Sequence, residues 1–196
     1  MCLLSHCSYN PSGFIVYLGR QSQEGSNPNK VSRTISQIIM HPGYNSDTLD
    51  NDIVLLRLSS PVDFNDYIRP VCLAASGSTF SPGANVWFTG WGNIEEGGLE
   101  FLPPVVWQEA EIPVLEQSTC GNIYYCTEIT DNMLCAGQEG KGTREGGVVS
   151  FGDVSSYALY PDVYARVSRY QSWITSHITT DTPGFITVTT GNDQTT

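Results

Sequence analysis

Asp50-Asn51-Asp52-Ile53-Val54-Leu55-Leu56 passes from polar, turn-favouring side chains to an aliphatic run without a break. Aspartate and asparagine bond readily to their own backbone in turns, whereas a short β-branched and aliphatic stretch suits a pleated, half-buried surface. The segment reads as a turn feeding a strand from Ile53 to Leu58. Taken alone, Asp52 would be the turn aspartate just before that strand. Working outward, similar short runs recur at Phe14 to Leu18, Val31 to Met40, Val86 to Trp91, Trp107 to Val114, Val148 to Phe151 and Val163 to Val167. Turn dipeptides and glycines separate them, as at Pro42-Gly43, Pro82-Gly83 and Glu96-Gly97-Gly98. The pattern is that of an all-β chain. One helix is predicted from Ser168 to Ile178, where Val167, Tyr170, Trp173, Ile174 and Ile178 fall on one face at steps of three and four. Beyond Ile178 the composition shifts to threonine, glycine and aspartate. The reading therefore divides the chain into a domain over 1–178 and a tail over 179–196 that is expected to be disordered, having little to bury against its chain entropy.

The 196 residues carry 9 lysines and arginines against 20 aspartates and glutamates, a net charge of −11. Phosphate backbones are recognised by clustered cations, so nucleic acid is not expected as a partner. The 6 cysteines (Cys2, Cys7, Cys72, Cys120, Cys126 and Cys135) show no paired CxxC spacing suited to zinc or redox chemistry. Disulfides in an oxidising compartment fit them better. No metal and no cofactor are implied. No window is apolar enough for a membrane span, and Met1-Cys2-Leu3-Leu4-Ser5-His6 lacks the basic and apolar regions of a signal peptide. An extracellular composition without an export signal is expected to mean that the true N-terminus lies upstream. No Gly-x-Ser-x-Gly nucleophile turn occurs.

Several stretches resemble the trypsin-like (chymotrypsin-type) serine proteases, and they come in that family's order. Leu4-Ser5-His6-Cys7 is similar to the family's histidine motif, and Asp50 to Leu56 to its aspartate motif. Arg69-Pro70-Val71-Cys72-Leu73, Thr89-Gly90-Trp91-Gly92, Ile129 to Gly137, Gly147 to Gly152 and Pro161 to Val167 match further segments. The resemblance implies a double antiparallel β-barrel with a C-terminal helix and a site between the barrels. It implies acyl-transfer chemistry on peptide bonds and an extracellular setting, with protein or peptide substrates or inhibitors as partners. His6 would be the general acid and base, and Asp52 the buried carboxylate that holds the imidazole tautomer, as the triad of this family works. The stretch containing Ser150, Phe151 and Gly152 matches the edge that pairs with substrate backbone. Asp162 replaces a glycine of the pocket wall and could select a basic side chain, its plainer reading being an exposed turn aspartate after Pro161. Cys120 and Cys135 match a loop disulfide. Cys72 matches a cysteine that tethers a cleaved propeptide in some members, and the partners of Cys2, Cys7, Cys72 and Cys126 stay open.

The departures from the family decide the expected activity. Between Cys135-Ala136-Gly137 and Gly147-Val148-Val149 the family carries Gly-Asp-Ser-Gly-Gly followed by a strand, whereas here only Gln138 to Gly146 intervene. The nucleophilic serine lies in the absent segment, together with the amides that would stabilise the developing oxyanion. Thr143 is the only hydroxyl in the connection and no strained turn surrounds it. Upstream strands and the family's activating N-terminus are also missing before His6. The chain is thus expected to lack serine-protease activity. Three identities stand open: a shortened relative of a secreted endopeptidase, a pseudoprotease that binds proteins without cutting them, and a product of an incomplete gene model or splice. Unpaired strand edges favour the last and predict poor solubility or loose packing.

Overall fold

Asp50 to Leu56 enters a strand as its composition predicts. In the computed structural model, which describes residues 10–91, 106–125, 127–137, 149–151 and 161–190, Val54–Leu58 forms β3 of an antiparallel sheet. Its partners are β1 (Ile15–Leu18) and β2 (Val31–Met40), in the order β1-β2-β3. The long central strand is bulged between Ile35 and Gln37. Ser36 closes the irregularity by donating to the carbonyls of Arg57 and Leu58 at 3.1 Å each.

Leu73–Ala74 forms the short strand β4. The second half begins with β5 (Asn85–Gly90) and β6 (Gln108–Pro113), an antiparallel pair. Next come a short helix α1 (Gln117–Ile123), β7 (Met133–Ala136), β8 (Val149–Phe151) and β9 (Asp162–Ala165). The last three form a sheet in the order β7-β9-β8, with β9 central. Strand β9 is deeply buried: Val163 and Tyr164 are 0% and 4% exposed, and flanking strands cover both of its edges. Gly137, just past β7, passes so close to Pro161 that a Cβ there would stand 2.7 Å from the proline Cα. Only glycine fits that crossing without a shift.

The predicted C-terminal helix is present, opening as a 3-10 turn over Val167–Tyr170 and continuing as α2 (Gln171–His177). Its apolar stripe packs as read: Tyr170 and Ile174 join Ala165 in a core cluster that also takes in Ile53, Leu55 and Leu73 from the first half. Burying side chains of this size stabilises by about 1.5–3 kcal/mol each. A second cluster surrounds Cys120, Cys135, Met133 and Val163, and a third joins Ile112, Ala136 and Tyr164. The chain is a mostly-strand fold with a C-terminal helix, as expected. Among the described residues the sheets stay open and no barrel closes.

The expectation of a disordered tail is corrected for residues 184–190. Phe185–Ile186 forms β10, which pairs in parallel with β4, and a further bridge links Thr79 to Thr189. Leu73, Ala75 and Thr79 donate backbone N–H groups to Gly184, Ile186 and Val188 at 2.9, 2.7 and 2.8 Å. The tail is polar in composition, but Phe185, Ile186 and Val188 stand among its threonines, and Phe185 and Ile186 pair with Leu73 and Ala74. Residues 191–196 lie outside the described residues.

Candidate active site

The turn before β3 is built in an uncommon backbone conformation. Leu49 and Asn51 both have φ of 56°, a left-handed region that asparagine tolerates and that a branched residue such as leucine seldom adopts. Side-chain bonds fix it. The Asp50 carboxylate accepts from Thr130 Oγ1 at 2.6 Å, from Asn132 Nδ2 at 3.0 Å and from Asn51 Nδ2 at 2.9 Å. Thr130 and Asn132 belong to the stretch leading into β7, so this one carboxylate ties the turn to the second half of the chain. Asn51 Nδ2 also donates to the Gly43 carbonyl at 3.0 Å.

Asp52 follows directly and is half-buried. Ser150 Oγ, on β8 and only 2% exposed, donates to Asp52 Oδ2 at 2.8 Å. Burial pushes the Asp52 carboxyl above its ordinary value, and the hydroxyl bond from Ser150 opposes that rise by favouring the charged form. The structure therefore joins Asp52 and Ser150, which the sequence reading had assigned to separate tasks. The hydroxyl leaves the half-buried carboxylate with one oxygen fixed.

Beside this pair lies an aromatic group. His41 stands edge-on to Tyr170 and Trp173, with ring centroids 5.3 and 5.1 Å away, and its Nδ1 accepts from the Gly43 N–H at 3.2 Å. Burial lowers the His41 pKa, and the Asp50 charge partly offsets this. Tyr170 is pushed up to about 12, first by burial and then by the carboxylates of Asp50 and Asp52. At neutral pH the cluster holds a neutral phenol beside the two aspartates.

Asp162 lies on β9, where its Oδ2 accepts from the Tyr164 hydroxyl at 3.2 Å. It is partly buried in a strand, and the plainer reading of an exposed turn residue does not describe it. Phe151 is placed by its backbone, opposite Val163. His6, Gly152, Cys2, Cys7 and Cys126 lie outside the described residues, so the approach of His6 to Asp52 is not described. Cys120 and Cys135 form a disulfide, with both sulfurs inside the core, and Cys72 is a free, exposed thiol. The sequence reading missed the parts played by Asp50, Thr130, Asn132, His41 and Tyr170. All but Tyr170 flank or lie within stretches singled out for other reasons, and Tyr170 was read only as a core residue of the helix.

One consequence is directly measurable. Ser150→Ala removes the bond that favours ionised Asp52, so the Asp52 pKa is expected to rise further above 3.8, followed by its carboxyl carbon shift in an NMR titration. A carboxyl raised in the folded state stabilises the fold below its unfolded pKa and loses that stability as pH rises through the folded value. The variant should therefore lose stability over a wider stretch of acidic pH above the ordinary value, and about 1.5 kcal/mol at neutral pH. An unchanged titration curve would show that the bond does not form.

A carboxylate half-sunk before an aliphatic strand, held by a serine from a second sheet, with a C-terminal helix packed across both, defines the trypsin class of fold. The family model described as Trypsin matches residues 5–147, and this chain belongs to the trypsin family. It is 35% identical over 193 residues to Trypsin-1 of Astacus astacus, a match spanning 86% of this chain and 79% of that protein. Tryptase of Mus musculus is 35% identical over 173 residues, 76% of this chain and 63% of its own. Transmembrane protease serine 9 of Rattus norvegicus is 35% identical over 185 residues, 84% of this chain and 17% of that much longer protein.

Proposed function

We propose that this chain is a non-hydrolytic member of the trypsin family, a pseudoprotease that binds protein or peptide segments without cleaving them. The observation that carries the reading is a contrast between the held carboxylate and the sequence that follows β7. The Asp52 carboxylate is held by Ser150, the arrangement that would orient an imidazole, while the connection from Gly137 to Val149 contains no Gly-Asp-Ser-Gly-Gly. Without that segment there is no positioned serine and there are no amides for an oxyanion, so neither nucleophilic attack nor residual charge stabilisation is supplied. The length of the match supports this: 193 aligned positions with the Astacus trypsin draw on only 86% of these 196 residues, so the relative carries residues that this chain omits.

Proteases of this family act on protein substrates, and a remnant of that capacity is assigned to this chain. Ser150, Phe151, Gly152 and Asp162 are the proposed binding positions and His6 with Asp52 the inherited dyad. No described helix is long and apolar enough to cross a membrane, and an extracellular site is proposed from the family and the disulfide. The test uses the purified chain. Incubation with a fluorophosphonate probe is expected to give no covalent adduct by mass spectrometry, and a panel of peptide amides is expected to remain uncleaved. A stoichiometric adduct that heat denaturation abolishes would overturn the reading. A second reading, a partial product of a gene for an active enzyme, is favoured by the open sheet edges. Flanking exons that encode the missing serine segment would establish it.

A further inference from the structure

The two-stranded sheet β5–β6 carries an edge that no described residue covers. Its phase follows from the Val114 N–H, which donates to the Ala84 carbonyl at 2.8 Å. Hydrogen-bonded and non-bonded pairs alternate in an antiparallel ladder. The pairs Val86–Ile112, Phe88–Ala110 and Gly90–Gln108 therefore exchange bonds, and the pair Asn85–Pro113 falls where proline's missing N–H costs nothing. The N–H and C=O groups of Asn85, Trp87 and Thr89 then point away from β6. The side chains of these same residues share the open face, where Trp87 is 63% exposed. Glu111 stands opposite Trp87 and Glu109 opposite Thr89. Residues 81–116 contain six glutamates and no lysine, arginine or aspartate. An edge unpaired among the described residues, with neither proline nor lysine on it, lacks the usual protection against strand addition.

We propose that the β5 edge is a docking site for an extended basic peptide segment of a partner protein, added as a third, antiparallel strand. Main-chain bonds to Asn85, Trp87 and Thr89 would hold the segment, as in other strand-addition complexes. A lysine or arginine opposite Trp87 lies on the tryptophan's own face, where its cation meets the ring and the glutamate row beyond it. A second copy of this chain is disfavoured as occupant, because it would bring the same glutamates and a net charge of −11 to the contact. The site shares no residue with the Asp52 and Ser150 group, and its occupation does not depend on whether the chain hydrolyses peptides.

The proposal fixes which peptide amides matter. Residues opposite Asn85, Trp87 and Thr89 turn both their N–H and their C=O toward β5 and their side chains to the face of Trp87, so in a capped Val-Lys-Val-Lys-Val-Lys probe these are the lysines. Titration into the full chain is expected to give a saturable fluorescence change that Trp87→Phe removes, with shifts at the Asn85, Trp87 and Thr89 amides. Replacing each lysine by glutamate, or raising the salt, should weaken binding about tenfold or more, as steered charge contacts do. N-methylation at the lysines should abolish binding, whereas N-methylation at the valines should leave it. Absence of a saturable signal at Trp87, or equal binding of the two methylated probes, overturns the proposal. So does a chain that elutes as a dimer with the Trp87 amide already protected.

Discussion

Replacing Cys120 and Cys135 together by alanine is expected to lower unfolding stability by about 3 kcal/mol, the chain-entropy value for a loop of this size. The bridge spans a separation of 15 residues and closes the loop holding α1 and the approach to β7. Helix α1 is 7 residues long with Gly121 inside it, too short to persist by its own hydrogen bonds. It is held from one side by the disulfide and by apolar neighbours, since Leu115, Tyr124 and Ile129 pack on the cluster of Cys120, Met133, Cys135 and Val163. All four cluster residues are 2% exposed or less, so the lost sulfurs also leave a void that the surroundings fill only in part. Urea unfolding of the wild type and of the double variant checks this. A difference below about 1 kcal/mol would mean that strand pairing of β7 with β9 alone fixes the loop.

The legible parts of this fold were those in which local pattern and tertiary demand agree. Val31 to Met40 was read with its bounds because apolar residues recur along a long run, and the helix stripe from Val167 to Ile178 was read because 3.6-residue spacing is distinctive. Helix α1 was missed because Gly121 and Asn122 weaken its propensity, and disulfide and core contacts override that weakness. Strands β4 and β10 have two residues each and exist only as a pair, so neither half announces the other. In the site, Asp52 was found through its motif. Its bond to Ser150 spans 98 residues and depends on the register of β8, which no local pattern encodes. Thr130, Asn132 and Asp50 all stand in quoted motifs, but their mutual bonds depend on two loops meeting across the halves. The tail misled because a threonine-rich composition is common to solvated segments and to edge strands.

Removal of residues 182–196 is expected to lower stability by about 2–4 kcal/mol, and Phe185→Ala alone should cost nearly as much. The tail makes many polar contacts. Besides the three backbone bonds to Gly184, Ile186 and Val188, the Thr190 N–H donates to Thr79, the Ser81 N–H donates to Thr190 Oγ1 at 2.7 Å, and Ser81 Oγ donates to the Thr190 carbonyl at 2.6 Å. Each such bond contributes about 1 kcal/mol net, whereas fixing each residue of the strap costs about 1–2 kcal/mol of backbone entropy. Hydrogen bonds alone therefore do not outweigh ordering, and Phe185 tips the balance by packing beside Leu73 onto the Ala165, Tyr170 and Ile174 cluster. Loss of the ring should release the whole strap. Hydrogen exchange is the readout: Leu73, Ala75 and Thr79, whose amides donate to the strap, are expected to lose protection together in Phe185→Ala and to keep it in Phe185→Leu. If the alanine variant kept protection at all three amides while losing stability, the strap would be held by its main-chain bonds and the assignment to Phe185 would fail.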